Sequence, residues 1–510
     1  MTAVVDGPAW SARGLVQHDS RYPLKVEGAV QRAVTLLLPG VSTASEFVRY
    51  FAVYAALAAH AEDHGLGGEA CRELVRRSEV VLAGVSMLDE DRSPGPAIRA
   101  HGVDGVRPWF GDGLDVVGAV SMGAEQHSYS PRKSGFWGSY GGPSQVLGTV
   151  AVEDNAFGAG RHACPGVVRE FFGPLFAAAA QDRLALPQLE ALRHVSLHSD
   201  DMPEIPWLLD LFTATRGGCH EPAQWQPDDR RRRAAMRILG RTMVLHGADT
   251  TLTWPDAVES AVVFSDALET DPVLAGIAEA AAWRGVLLRN YSVSAWRRLW
   301  AALVRSIGPE EDSADRSAGE LQAWLADQVP GMTVRAFMDQ LPPGMTGRHP
   351  APAERIVLAG GDAGDPATNI RLLLVGVRRV TELEGQARTV FLGRQNEILN
   401  PLWMDLCVRE FLDRPLRDLA VRLVDDMLAQ ARRVALGKMR PDPSGRLQVY
   451  SRIHERNGRY YKTRDEGDTA IGTRLEVAAG IAVQLGLIDL DDDGAAAVTD
   501  AGFAVLEAGG

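Results

Sequence analysis

Apolar residues through 23–40 stop at Pro39-Gly40, and a second apolar series begins directly after them. There Phe47, Tyr50, Phe51, Tyr54, Leu57 and Ala58 fall at the three- and four-residue spacing of one helix face, with Thr43 and Glu46 three apart ahead of them. That pattern predicts a helix opened by a capping box, in which each side chain bonds the other's free backbone N–H. Its aromatic residues are expected in the core. A further helix is predicted over 69–83, with Arg72, Arg76 and Arg77 on a basic face.

The periodicity lapses over 101–166, where Gly and Ser crowd the segments GDGLDVVGAVSMG and SYSPRKSGFWGSYGGPSQVLG, so loops and short strands are expected. Helical spacing resumes near Val167 and runs to about Ile307. Two breaks follow, an acidic one at 308–320 and a Pro/Gly-rich one at 342–366. The second reads as a linker. It separates a helical N-terminal region, 1–341, carrying the Gly-rich insertion at 101–166, from a helical domain, 367–437, and a C-terminal domain, 438–510. Helices are predicted over 368–386, 395–412 and 415–437. The fold class expected is mainly α and multi-helical, with a C-terminal β-hairpin and a winged-helix-like module.

In LQVYSRIHERNGRYYKT, two β-rich runs flank Asn457-Gly458, a pair favoured in type I′ turns. Leu447, Val449, Ser451 and Ile453 alternate with Gln448, Tyr450, Arg452 and His454, giving one mostly apolar face and one polar face. TRLEVAAGIAVQLGLI then reads as a helix with Leu475, Ala478, Ala482 and Leu485 inward and Arg474, Glu476 and Gln484 toward solvent. IDLDDDGAAAVTDAG allows two short strands around Asp493-Gly494, and DAGFAVLEA a closing helix. This order, from LGLI through the acidic turn to VTDAG, resembles the end of a winged-helix domain over about 40 residues. More loosely, LLPGVST followed by Arg49-Tyr50, together with the tail, resembles large uncharacterised helical bacterial proteins associated with genome-defence loci. That resemblance implies no particular activity and no catalytic residue.

Charge changes the picture most near the C-terminus. The chain as a whole carries −13, too acidic for indiscriminate adhesion to nucleic acid. Between Ala431 and Arg464, however, stand Arg432, Arg433, Lys438, Arg440, Arg446, Arg452, Arg456, Arg459, Lys462 and Arg464 against Asp442 and Glu455, a local +8. Tyr450, Tyr460 and Tyr461 are interleaved. Cations neutralise phosphates and tyrosines stack on bases, so this stretch is the candidate nucleic-acid surface, with DNA or RNA as partner. A solvated face, or a patch docking on the protein's own acidic surface, is the structural alternative. From Asp465 onward there are ten acids and one base, Arg474, which suits a protein-docking role better than DNA reading by the winged-helix end. Arg132-Lys133, beside Tyr129, Phe136, Trp137 and Tyr140, forms a second basic spot. The run Arg230 to Arg233, flanked by Asp228 and Asp229, reads as a surface face.

Other chemistry is thinly supported. His162-x-Cys164 with Cys219-His220, or His194 with His198, could ligate zinc, yet neither set has the usual spacing. No P-loop and no nucleophile elbow is present in the sequence. Four scattered cysteines do not make a disulfide framework. The opening residues MTAVVDGPAWSARG carry no charged leader before an apolar run, so a cytoplasmic protein with no membrane partner is expected. The function expected is thus a nucleic-acid-associated, non-catalytic component of a bacterial defence or genome-maintenance assembly, with no cofactor and with protein partner subunits. The alternatives are a docking scaffold for a nuclease or ATPase, and an enzyme with a dispersed metal-dependent site.

Overall fold

A computed structural model describes residues 22–89, 100–121, 135–153, 156–308, 315–441, 445 and 447–509, and the backbone of 16–18. Among the described residues the fold is mainly helical, with small sheets only. In chain order the helices that carry the architecture are α1 (Gly28–Leu37), α2 (Arg49–Asp63), α3 (Gly68–Met87), α4 (Gly166–Ala179), α5 (Pro227–His246), α6 (Ala278–Arg305), α7 (Ala318–Asp327), α8 (Pro366–Glu382), α9 (Gly385–Leu392), α10 (Leu416–Lys438), α11 (Leu475–Gln484) and α12 (Asp500–Leu506). The strands include β1 (Arg316–Ser317), β2 (Leu447–Tyr450), β3 (Ile453–Arg456), β4 (Arg459–Lys462), β5 (Ile488–Leu490) and β6 (Ala496–Val498). Among the described residues, no helix is long and apolar enough to cross a membrane.

The chain forms two compact units, each discontinuous in sequence. One comprises Met1–Val34 and Val258–Thr473, the other Thr35–Ala257 and Arg474–Gly510. The stretch 342–366 therefore lies inside the first unit. It folds there as two short strands and a helix, and Glu354 within it is buried against Arg379 of α8, with Nε–Oε1 and Nη2–Oε2 contacts of 2.9 and 2.7 Å.

The first unit is built on α6, whose Trp283, Trp296 and Trp300 are buried and which packs against α8 and α9. Gly285 permits that crossing, since a Cβ there would lie 2.3 Å from the Ala387 carbonyl oxygen. Helix α7 lies along α10. Strands β3 and β4 pair antiparallel about Asn457-Gly458, and β4 also pairs with β1. The first β-rich run is not one strand: it breaks at Ser451-Arg452, and β2 pairs instead with Val16–His18 and Arg440–Pro441.

In the second unit, α2 packs against α4, and α3 packs against α4 as well. Phe47, Tyr50, Phe51 and Tyr54 are buried in its core. The predicted capping box does not form; α2 begins at Arg49, and Val48 makes no side-chain cap. The preceding N–H groups are bonded from elsewhere: Tyr140 Oη accepts from Phe47 N at 2.9 Å, and Gln484 Oε1 accepts from Val48 N at 3.0 Å. Arg49 is 1% exposed and ion-paired with fully buried Glu204 at 2.7 Å, while its remaining donors reach the carbonyls of His194, Ser196 and Asp201.

The 230–233 run is not uniformly a surface face. Arg232 is fully buried against Asp229 at 2.8 Å, and Arg233 donates to the carbonyls of Thr213 and Val505. Carboxylate and carbonyl acceptors replace water at the terminal nitrogens of both guanidinium groups. One face of α5 thus holds the end of the chain, where Arg237 and Arg241 donate to the carbonyls of Leu506 and Ala508, both at 2.9 Å. Two of the three residues of α11 expected at solvent are engaged: Arg474 donates to Val41 O and Thr35 Oγ1, and Gln484 to Glu46 O. Glu476 is exposed.

Candidate anion-binding cleft

A cleft in the first unit arises where the loop before α1 meets the C-terminal half of α10. Leu24 and Val26 point into the core, which turns Lys25 between them outward. Tyr22 and Lys25 both adopt left-handed backbone conformations, φ 62° and 56°, closed by a 3.2 Å bond from Lys25 N to Tyr22 O. Non-glycine residues are rare in that region, and such strain clusters at ligand sites. On the other wall, α10 presents Gln430, Arg433, Val434, Gly437 and Lys438 at the i, i+3, i+4, i+7 and i+8 spacing of one helix face. The cleft measures about 580 Å³, within the range of small-molecule sites.

Its electrostatics are mostly cationic. Lys25, Arg32, Arg433 and Lys438 line it, against the single carboxylate of Glu27. Arg32 is ion-paired with Glu397. That carboxylate also opposes the charge of Arg289, a fully buried guanidinium whose Nε and Nη1 have no hydrogen-bond partner and whose pKa burial lowers to about 10. Burial lowers the Lys438 pKa, and the nearby Glu27 and Glu466 act in the opposite direction. Burial raises the Glu27 carboxyl above the ordinary range, although its own backbone N–H, Arg297 and Lys438 pull it down. Arg297 stands 3.8 Å from Glu27 Oε1, and its guanidinium carbon lies 5.7 Å from the Tyr22 ring centre. Glu466 is 9% exposed and 3.4 Å from Arg452; desolvation pushes its carboxyl up to about 7.

The side chains of the basic stretch make different contacts along its length. Arg433 and Lys438 enter the cleft, and Arg432 is exposed beside them on α10. Arg440 stacks 5.1 Å over the Tyr450 ring. On the hairpin, Arg452 donates to the Asp465 carbonyl, Arg456 lies 4.9 Å over the Tyr461 ring, and Lys462 pairs with Asp465 at 2.8 Å. Arg459 reaches Asp315 at 2.8 Å and Glu320 at 3.1 Å. Tyr461 is buried, Tyr460 half-buried and Arg464 exposed. Arg446 lies outside the described residues, as do Arg132, Lys133 and Tyr129. Phe136 and Tyr140 are core residues, and Trp137 is partly exposed.

No pattern in the sequence marks Lys25, Glu27 and Arg32 as site residues; the one signal is that lysine is rare, Lys25 and Lys438 being two of four in the chain. Among the described residues, no group of three or more His, Cys, Asp or Glu side chains could hold a metal. His194 packs on Phe171, His198 on Phe47 and His162 on Trp225. The chain matches no known protein family, no curated protein and no solved structure.

Proposed function

We propose that this protein is a non-catalytic nucleic-acid-associated component, of bacterial defence or genome-maintenance type, and that it holds the phosphate backbone in the cleft between the loop before α1 and α10. The observation that carries this reading is the convergence of Lys25, Arg433 and Lys438 on one concave site, with the Glu397-paired Arg32 beside them. Cations spaced along a groove track phosphates, and an aromatic ring such as Tyr22 suits an unpaired base. The hairpin tip is assigned a different role. Arg459 is paired with acids beside β1 and α7, which favours a structural clamp. The winged-helix-like order of α11, β5, β6 and α12 is read as a cap of the second unit, because Arg474 and Gln484 are bonded to residues 35–48.

The test is binding of labelled single-stranded and duplex DNA and RNA at low and moderate salt, with Arg433→Ala/Lys438→Ala alongside. Wild-type affinity is expected to fall steeply with salt, and the double variant to flatten that dependence by up to about two phosphate equivalents. No binding at low salt, or an unchanged slope in the double variant, overturns the proposal.

A further inference from the structure

The cationic rim does not account for the floor of the cleft. Glu27 is 2% exposed, and its Oε2 is buried with no hydrogen-bond partner. The 3.8 Å separation of Arg297 from the other oxygen is too long for a hydrogen bond. Gln430, 8% exposed, donates its Nε2 to the Leu24 carbonyl at 2.9 Å. That bond fixes the amide and leaves Oε1 as an acceptor on a residue that also lines the cleft. A buried carboxylate oxygen without a donor is costly. The site therefore joins acceptors within to cations at the mouth, and it suits a ligand with a donor-bearing head and an anionic tail.

Among the nucleobases, guanine carries adjacent N–H donors, at N1 and the exocyclic N2, on a single edge. A carboxylate accepts both in a bidentate pair. Adenine and cytosine offer one amino group beside an acceptor nitrogen, and uracil offers one N–H between two carbonyl oxygens that a carboxylate repels. A volume of about 580 Å³ accommodates a nucleotide. We infer that the cleft takes a guanine nucleotide, free or within a strand, with Glu27 accepting the base's donor edge and Lys25, Arg433 and Lys438 holding phosphate. The half-buried Tyr22 ring supplies a stacking face beside the base.

This inference rests on the phosphate-binding reading above, so its experiment separates the two. Full-length protein is titrated with inorganic phosphate, with the 5′-monophosphates of guanosine, adenosine, cytidine and uridine, and with short single strands that contain or lack guanine. The guanine ligand is expected to bind at least about tenfold more tightly than the others, the worth of one good bidentate pair. Glu27→Gln should erase that preference and leave inorganic phosphate binding intact, whereas Arg433→Ala, at an exposed position, should weaken every nucleotide alike. A preference seen with strands alone identifies a polymer ligand, and one seen with monophosphates a free nucleotide; either supports the inference. Equal binding of all four bases with Arg433 dependence overturns the base assignment and leaves phosphate binding standing. Absence of binding by every probe overturns both. Should Glu27→Gln fail to fold, the base preference of the wild-type protein decides by itself.

Discussion

Replacing Glu466 with Gln should change how stability depends on pH. Glu466 lies in the loop after the hairpin, 9% exposed, with Arg452 3.4 Å away and Glu27 and Arg297 nearby. Desolvation dominates over Arg452 and raises its carboxyl from the ordinary 4.5 to about 7 in the folded state. Below the unfolded value both states hold the proton, and the residue exacts no penalty. As pH rises from about 4.5 to about 7, the unfolded chain releases the proton while the folded protein keeps it, so stability falls. At 1.36 kcal/mol per pH unit, the loss across that window is about 3 kcal/mol, with the full penalty present above it. Gln fills the same volume without titrating. The wild-type minus Glu466→Gln difference in unfolding free energy, taken from urea denaturation across the window, should therefore grow to about 3 kcal/mol in favour of the variant. Parallel pH profiles for the two proteins would refute the reasoning, because they would mean that Arg452 keeps Glu466 ionised throughout.

Two further outcomes are expected. Arg49→Met strands Glu204, which is fully buried, and should cost about 3–5 kcal/mol in urea denaturation; adding Glu204→Leu should restore most of it, since a well-packed apolar pair replaces an ion pair at little cost. Arg459→Ala removes the contacts to Asp315 and Glu320, so the amides of β4 that pair with β1 should exchange with solvent faster while nucleic-acid affinity stays at the wild-type value. Weakened nucleic-acid binding in that variant would return the hairpin tip to the phosphate-contacting surface.

Elements specified by nearby residues were the readable ones. The apolar spacing over 415–437 matches α10 within a residue at each end, because a helix face repeats within a few residues. Asn457-Gly458 turns with φ of 53° and 73°, the left-handed pair that a tight hairpin needs. The start of α2 was misread because its donors are satisfied by Tyr140 and Gln484, the latter 436 positions away, and no local pattern encodes that. Arg232 and Arg233 looked like surface charge because the carbonyls that receive them belong to other segments. For the cleft, the α10 wall was legible as part of a basic stretch. The opposite wall was not: Gln430 and Leu24 meet across 406 positions, and Glu27 gains its meaning only from burial beside them.

The interleaving of the two units bears on how the chain matures during synthesis. Helix α5 leaves the ribosome long before the residues that seat on it: Gly247 waits for Ala496, Gly240 for Leu506, and Arg233 for the Val505 carbonyl, 272 positions later. At about 5–20 residues per second, that interval is on the order of tens of seconds, during which α5 presents an uncovered face. The loop before α1 likewise emerges first and meets α10 only after some 400 residues, as the 406-position separation of Leu24 and Gln430 requires. Neither unit can be completed from a nascent chain stalled midway, and no single contiguous fragment reproduces either one.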